Sequence, residues 1–189
     1  MKAEILEIRF IHEGWSRFGI ARVRLADGAV VEREIEDHGN AVGILPYDPV
    51  RKVAALVREL RVPPLFAAGE QVQLEAPAGL IDDGSPEQNA RREVLEEVGL
   101  RLTDLEFVGA TYSCAGVTTE KLHLYLGSYG QADRIEDGGG AAGEHENIRV
   151  VEMPLAELAA RADEAAITDL KTLTLVLALR ARHPELFRA

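Results

Sequence analysis

The most informative part of this chain reads Ala78-Gly79-Leu80-Ile81-Asp82-Asp83-Gly84-Ser85-Pro86-Glu87-Gln88 and continues to Arg92-Glu93-Val94-Leu95-Glu96-Glu97-Val98-Gly99-Leu100. Its helix signals are local. Ser85 is a good N-cap, Pro86 suits the first helical position, and Gln88 completes an S-x-x-Q capping box. Gly99 is a typical residue just after a helix C-terminus. The segment therefore predicts a helix from Pro86 to Val98.

Three acidic residues of this helix share one face. Glu93, Glu96 and Glu97 are spaced i, i+3 and i+4, which places them within an arc of about 100°. Like charges at this spacing repel one another. A divalent cation would reverse that repulsion, and Mg²⁺ prefers oxygen ligands and suits phosphate substrates. Three glutamates alone are more typical of a solvated acidic face, but the flanking glycines, the R-E-x-x-E-E-x-G spacing and the preceding Ala-Gly-Leu-Ile-Asp loop favour a metal-binding face.

Composition limits the remaining possibilities. The chain has 189 residues, one cysteine, 21 Lys and Arg against 32 Asp and Glu, and a formal net charge of −11. One cysteine excludes a disulfide framework and a cysteine-based zinc site. The acidic balance disfavours nucleic acid as a partner. We find neither an apolar run near the ~18 residues of a membrane span nor an apolar signal-peptide stretch at the N-terminus. The expectation is a cytoplasmic protein with no membrane partner.

Hydrophobic alternation predicts a mixed sheet. Residues 4–11, 19–25 and 29–36 alternate, and Asp27-Gly28 is a strong hairpin signal, so a three-stranded antiparallel meander is predicted at the N-terminus. Such a meander has too little core to stand alone, so it is expected to pack on the rest of the chain or on another copy. Further strands are predicted at 41–46, 52–60, 104–112, 119–127 and 148–153, a loop from Pro63-Pro64, and helices at Pro154–Arg161 and Asp169–Arg182. Apolar residues of the last helix are predicted to be core, among them Leu170, Leu173, Val176 and Leu177. This order of elements is typical of the α/β class.

Residues 79–100 resemble the Nudix box, G-x5-E-x7-R-E-U-x-E-E-x-G-U, in which U is apolar. The residues that match are Gly79, Arg92, Glu93, Val94, Glu96, Glu97, Gly99 and Leu100. The segment departs from the pattern in two linked respects. The interval from Gly79 to Arg92 is one residue short, and Ser85 occupies the position of the first box glutamate. A box one residue short also resembles the GDP-mannose pyrophosphatase branch of the family.

The resemblance extends over roughly residues 30–180, to the Nudix hydrolases that act on ADP-ribose or GDP-mannose. It is carried by His38-Gly39-Asn40-Ala41-Val42, Val57-Arg58-Glu59-Leu60-Arg61-Val62, Glu75-Ala76-Pro77-Ala78-Gly79, Ser113-Cys114-Ala115-Gly116-Val117-Thr118, and the loop from Gly138-Gly139-Gly140 to Glu144-His145-Glu146-Asn147-Ile148. Ser-Cys-Ala-Gly stands where that group usually has Ser-Pro-Gly-Gly. The resemblance implies a Nudix α/β/α sandwich with a mixed sheet at 39–189. It also implies that the meander, 1–38, exchanges with the partner subunit of a homodimer.

The implied reaction is hydrolysis of the diphosphate linkage of a nucleotide sugar with Mg²⁺ or Mn²⁺. By this resemblance the metal ligands are Glu93, Glu97, the backbone carbonyl of Ala78, and Glu146. Glu144 is the implied general base, and Glu96 ligates the metal or orients metal-bound water. Arg92 orients the box by pairing with nearby acids.

The implied substrate-binding residues are Arg58 and Arg61, through phosphate or ribose oxygens, and Gly116 in its flexible turn. Each assignment has an alternative. Glu144 and Glu146 are also compatible with a solvated acidic loop, and the two arginines with a strand-edge surface.

Two other functions remain open at this point. Loss of the first box glutamate is compatible with a catalytically weak Nudix-like module that binds a nucleotide or a protein. A Nudix hydrolase of another nucleotide, such as a nucleoside triphosphate or an RNA 5′ end, is the second alternative. The residues do not distinguish ADP-ribose from GDP-mannose.

Overall fold

The computed structural model describes residues 2–140 and 147–188. It divides the chain into two compact units, Met1–Asn40 with Thr111–Lys121, and Ala41–Ala110 with Leu122–Ala189. Within the described ranges, no helix is long and apolar enough to cross a membrane.

The first unit contains the predicted meander. Strands β1 (Glu4–Glu13), β2 (Arg17–Arg24) and β3 (Val30–Asp37) form an antiparallel sheet in that order. Gly28 has φ 92° in the turn between β2 and β3, a backbone conformation that favours glycine. Ala21 is the only apolar side chain that is buried among the described residues of this unit. The meander is confirmed, and hydrophobic burial inside it is small.

Hydrogen bonds join the two chain segments of the first unit. The Glu36 N–H donates to Val117 O at 2.8 Å, and the Thr119 N–H donates to Glu36 O at 2.9 Å. His38 lies between two carboxylates, with Nδ1 2.7 Å from Glu36 and Nε2 3.2 Å from Glu120. Burial alone would lower the pKa of His38, but the hydrogen bonds to these carboxylates and their charges raise it. Polar contacts therefore hold together the two segments of a unit in which few apolar side chains are buried.

The second unit is built on a seven-stranded sheet. Its strands are β4 (Ala41–Asp48), β5 (Val53–Leu60), β6 (Val72–Glu75), β7 (Ala78–Leu80), β8 (Glu106–Tyr112), β9 (Lys121–Ser128) and β10 (Arg149–Pro154). Its helices are α1 (Val62–Ala68), α2 (Pro86–Val98), α3 (Leu155–Asp163) and α4 (Leu170–Arg182). The strand order is β10-β5-β4-β9-β8, with β6 also paired to β5 and β7 to β4. Strand β4 is parallel to β9 and antiparallel to β5 and β7, so the sheet is mixed as predicted.

Alternation along the central strands creates two cores. Leu45 and Leu56 pack with α3 and α4 on one face of the sheet. Ile44 and Val57 pack with Ala90, Val94 and Val98 of α2 in a separate cluster. Since successive strand residues point to opposite faces, helices cover both sides. The α/β/α sandwich is confirmed.

Two predictions about local structure are wrong. Pro63-Pro64 belongs to helix α1 rather than a loop, because proline is tolerated in the first turn of a helix. In α4, Leu170 and Leu177 are 59% and 47% exposed, whereas Lys171 is only 9% exposed. The orientation of α4 is thus not the one that hydropathy alone would select.

Candidate active site

Helix α2 begins and ends where the sequence predicts. The Gln88 N–H donates to Ser85 Oγ at 3.3 Å, and the Ser85 N–H donates to Gln88 Oε1 at 2.8 Å. These two bonds are the predicted capping box. Gly99 follows the helix with φ 69°, a left-handed conformation in which glycine is favoured. Local signals therefore set where α2 begins and ends, and so which residues occupy its acidic face.

Two of the three glutamates are buried against the backbone of β7. Glu93 and Glu97 are 8% and 4% exposed. A Cβ atom at Gly79 would overlap the Glu93 carboxylate, so only glycine permits this approach. The Ala78 N–H donates to Glu97 Oε2 at 3.2 Å. Both carboxylates therefore face the Ala78-Gly79 segment, whose connecting peptide carries the predicted carbonyl ligand.

Arg92 binds the acids of the box together. Its guanidinium lies 2.6 Å from Glu93, 2.9 Å from Glu96 and 3.6 Å from Asp82. It also donates to Asn89 Oδ1 at 3.2 Å. Burial alone would lower the pKa of Arg92, but the charges of Glu93 and Glu96 outweigh it and raise the pKa. Arg92 thus offsets the repulsion between neighbouring glutamates, as the predicted orienting residue would.

The donor set fits part of a site for a hard divalent cation. Glu93 and Glu97 provide carboxylate oxygens that face the Ala78-Gly79 backbone, and oxygen donors of this kind suit Mg²⁺ and Mn²⁺. Across residues 2–140 and 147–188, no three His, Cys, Asp or Glu side chains group closely enough to hold a metal by themselves. Predicted ligand Glu146 lies outside the described residues, as does the predicted base Glu144.

The glycine run that precedes those two glutamates is docked on α2. The Gly139 N–H donates to Glu97 O at 2.9 Å, and the Gly140 N–H donates to Glu96 O at 3.0 Å. The last carbonyls of a helix lack partners within the helix, and these donors satisfy two of them. Gly139 and Gly140 therefore lie at the carboxyl end of the helix that carries the box.

Arg61 is oriented by two buried carboxylates. Its Nε donates to Glu75 Oε1 at 2.8 Å and its Nη2 to Glu75 Oε2 at 3.1 Å, while Nη2 also lies 2.8 Å from Glu59. Burial would lower the pKa of Arg61, but these carboxylates, with a further contribution from the charge of Glu97, raise it. Arg61 therefore belongs to the same electrostatic environment as the box.

The other predicted substrate residues are placed differently. Arg58 is exposed near the end of β5. Gly116 is exposed in the first unit rather than the second.

A buried charge network was not predicted. Lys171 at the start of α4 forms ion pairs with Glu75 and, at 3.1 Å, with Asp169. Glu75 is 3% exposed, so a carboxylate deep in the unit is shared between Lys171 and Arg61. Burial would raise the pKa of Glu75, but hydrogen bonds from Arg61 and the charge of Lys171 lower it. The available signal was a lysine within an apolar helix, two residues after a capping aspartate.

Comparison with known proteins identifies sequence relatives of this chain. The profile of the NUDIX domain matches residues 37–174. The chain is 38% identical over 159 residues to a GDP-mannose pyrophosphatase of Cronobacter sakazakii, covering 82% of each chain. It is 33% identical over 178 residues to a GDP-mannose pyrophosphatase of Pectobacterium atrosepticum, covering 92% of this chain and 91% of the relative.

A solved structure shares the fold. The crystal structure of an ADP compounds hydrolase superposes with a TM-score of 0.79 and 22% sequence identity, covering 100% of this chain and 98% of that one. The family profile covers more than half of the chain, and the relatives align over most of their own length. The chain therefore belongs to the Nudix family.

Proposed function

We propose that this Nudix hydrolase cleaves the diphosphate linkage of a nucleoside diphosphate sugar, releasing a nucleoside monophosphate and a sugar phosphate. The observation that carries the hydrolytic assignment is the buried pair Glu93 and Glu97 against the Ala78-Gly79 backbone. The substrate class is supported by relatives that are named GDP-mannose pyrophosphatase and by a structural neighbour described as an ADP compounds hydrolase. GDP-mannose and ADP-ribose are accordingly the first substrates to test.

Nudix hydrolases generally need a divalent metal. We propose Mg²⁺ or Mn²⁺ for this chain, held by Glu93, Glu97, the carbonyl of Ala78, and Glu146. When bound, such an ion neutralises the diphosphate and lowers the pKa of bound water. Glu144 then accepts a proton from the attacking water, while Glu96 orients that water and Arg92 keeps the box glutamates in position. The hydrogen bonds from Gly139 and Gly140 to α2 support this assignment, because these glycines precede the two glutamates in the chain by only a few residues.

The substrate is proposed to bind through the arginines of β5 and its extension. Arg61 is held on one edge by Glu75 and Glu59, so its orientation is fixed before an anion arrives. Preorganised guanidinium groups bind phosphate oxygens with high geometric specificity. Arg58 is an exposed second candidate in β5, which ends one residue before Arg61, and Gly116 supplies a turn without a side chain.

A panel of substrates tests this function directly. The chain is incubated with Mg²⁺ or Mn²⁺ and GDP-mannose, ADP-ribose, a nucleoside triphosphate or an RNA with a 5′ triphosphate. The assay detects phosphate released by an added phosphatase, with substrates that already carry terminal phosphates corrected for direct release. We expect a nucleotide sugar to give the highest kcat/KM. Faster turnover of the triphosphate or the RNA would support the alternative of another Nudix substrate. Binding without turnover of any substrate would support the catalytically weak module that Ser85 allows.

The loop assignments are tested by two neighbouring substitutions. A general base contributes ~10²–10⁴-fold to a rate, so Glu144→Gln should lower kcat strongly and leave substrate binding nearly intact. Glu146→Gln should weaken the response to the metal as well. Single-turnover kinetics across a Mg²⁺ titration separates the two effects. If Glu144→Gln is nearly silent while Glu146→Gln is inactive, the base is misassigned by two positions. If both are silent, the base lies elsewhere, with Glu96 the next candidate.

We further propose a cytoplasmic homodimer formed through the meander, residues 1–38, with 39–189 as the catalytic domain. Support comes from the small core of the first unit and from apolar side chains that it exposes, including Ile5 and Trp15 at 59% and 76%. Exposed sheet edges also need cover. Sedimentation should give about twice the chain mass of 20.6 kDa. A fully active monomer at micromolar concentration would contradict the dimer.

A further inference from the structure

Five charged groups of the second unit form one alternating network. Asp169 pairs with Lys171, Lys171 with Glu75, Glu75 with Arg61, and Arg61 with Glu59. Glu75 and Glu59 are 3% and 7% exposed, and Lys171 is 9% exposed. The network runs from the N-terminus of α4 to the predicted substrate arginine. Two cations and three anions are thus organised around one buried carboxylate.

Stability does not explain why these groups are charged. Transferring ions from water into a protein carries a desolvation penalty that their attraction often only balances. Apolar side chains in place of the whole network would pack in this region without that penalty, as Leu175 and Leu179 of the same helix do. The charge of Lys171 therefore calls for a role beyond holding the fold. Because Lys171 also pairs with Glu75, this carboxylate attracts the Arg61 guanidinium less strongly than it would alone.

The next residue of α4 fixes the backbone beside this carboxylate. The Ala76 N–H donates to Thr172 Oγ1 at 2.6 Å, and Thr172 is fully buried. The Thr172 hydroxyl in turn donates to Asp169, which also caps α4 by accepting from the Thr172 N–H at 2.9 Å. Two residues beyond Ala76 begins the Ala78-Gly79 segment that Glu93 and Glu97 face. The start of α4 therefore contacts the chain immediately before the box.

We propose that Lys171 and Thr172 are positioning residues for the diphosphate site. Lys171 sets the orientation and effective charge of Arg61 through Glu75, and Thr172 fixes the backbone that leads to Ala78. Neither residue touches substrate. This inference rests on the proposed function, because it assigns Arg61 to the substrate diphosphate.

Four variants separate positioning from folding. Lys171→Met removes the charge at similar length, and Lys171→Arg keeps it. Thr172→Val removes the acceptor of the Ala76 N–H but keeps the shape. Leu175→Ala is the matched control, because Leu175 is fully buried one turn further along α4 and belongs to the apolar core. Thermal unfolding of each variant shows how much stability is lost.

The kinetic readout is the split between KM and kcat for GDP-mannose and ADP-ribose. A hydrogen bond to a charged group contributes enough free energy that disturbing it weakens binding about tenfold. We expect Lys171→Met to raise KM about tenfold, since it leaves an extra uncompensated negative charge behind Arg61. Lys171→Arg should restore KM to within about twofold. Leu175→Ala should leave KM unchanged even where its thermal midpoint falls as far. Equal KM values for Lys171→Met and Leu175→Ala would overturn the role of Lys171.

A second measurement does not depend on the substrate. Amide hydrogen exchange should accelerate for residues 76–80 in Thr172→Val and remain near the wild-type rate in Leu175→Ala. Unchanged protection of 76–80 in Thr172→Val would overturn the role of Thr172. If the wild-type chain hydrolyses no nucleotide sugar while exchange changes as expected, the proposed function fails and the backbone role of Thr172 stands. If the wild-type chain hydrolyses a nucleotide sugar and Lys171→Met leaves KM unchanged, the proposed function stands and the role of Lys171 fails.

Discussion

Two arginines of the second unit are each surrounded by carboxylates, yet they differ in how the chain brings those acids together. Arg92 pairs with Glu93 and Glu96 of its own helix and with Asp82 in the preceding loop. Arg61, just after β5, pairs with Glu75 of β6, and Lys171 of α4 binds Glu75 in turn from 96 residues further along the chain. The first cluster follows from helical spacing, whereas the second exists only once the sheet and α4 have assembled.

Apart from the buried Glu93, the acids of the two clusters also differ in exposure to water. The side chains of Glu96 and Asp82 are 34% and 75% exposed, but those of Glu75 and Glu59 are 4% and 10% exposed. Solvent-exposed ion pairs contribute ~0–1 kcal/mol to stability. Removing one partner of a buried pair costs ~3–5 kcal/mol, because it leaves the other charge unpaired. Loss of one carboxylate is therefore expected to destabilise the protein strongly in the Arg61 network and weakly at the exposed acids of the Arg92 cluster.

The largest expected effect is on stability at Glu75. Glu75→Gln removes the charge that Lys171 and Arg61 share, and we expect the free energy of unfolding to fall by ~3 kcal/mol or more. Urea denaturation monitored by circular dichroism measures it. The matched variant Glu96→Gln removes a carboxylate from the Arg92 cluster and should change stability by less than ~1 kcal/mol. Equal losses in the two variants would show that burial does not separate the clusters.

The next effect is on rate and concerns Glu97, which lies on the same helix as the Arg92 cluster. Glu97→Gln keeps the shape of the side chain, so the fold should persist. We expect kcat to fall by at least ~10²-fold, about 2.7 kcal/mol, because charge stabilisation at a metal site supplies several kcal/mol. Turnover of GDP-mannose in saturating Mg²⁺ measures the loss. Near-normal turnover would show that Glu97 takes no part in the reaction.

The contrast between the clusters also explains which features the sequence could predict. Helix α2, its cap at Ser85 and its end at Gly99 depend on neighbours within four residues, and all three were predicted. Arg92 was assigned correctly as a partner of nearby acids for the same reason. The meander and the mixed sheet followed from alternation and hairpin signals.

Features that depend on distant contacts were missed or reversed. Lys171 is buried and Leu170 exposed because the N-cap at Asp169 and the partner Glu75 set the rotation of α4, and neither effect appears in hydropathy. Strand β7 is only three residues long and was not predicted, since its pairing with β4 comes from tertiary structure. The roles of Glu144 and Glu146 remain predictions from family resemblance.

In the first two clusters, the partners that are more distant in sequence are also more buried. A third cluster, around Glu152, has distant partners without such burial, so it distinguishes the two factors. Glu152 of β10 accepts from Arg134 at 2.9 Å, from Tyr129 at 3.1 Å, and from Arg51 at 3.1 Å. Its partners are distant in sequence, as in the Arg61 network, but its side chain is 27% exposed, close to that of Glu96. Hydrogen bonds from Arg51, above all, lower the pKa of Glu152 to about 2.

The smallest expected effect is therefore at Glu152, and it depends on pH. A carboxylate whose pKa is lowered by folding stabilises the protein above its unfolded pKa and loses that contribution as pH falls through the folded pKa. For Glu152 this window extends from about 4.5 down to about 2. Because solvent screens the pair, we expect Glu152→Gln to cost ~1 kcal/mol at about pH 7, and less at each step below pH 4.5. Urea denaturation of both proteins across that range measures the difference, with Glu157→Gln, a local exposed pair on α3, as the control. A loss near 3 kcal/mol at neutral pH would mean that long-range pairing, rather than burial, sets the cost of breaking these clusters. A difference that stays constant as the pH falls would show that Glu152 acts through its shape and not its charge.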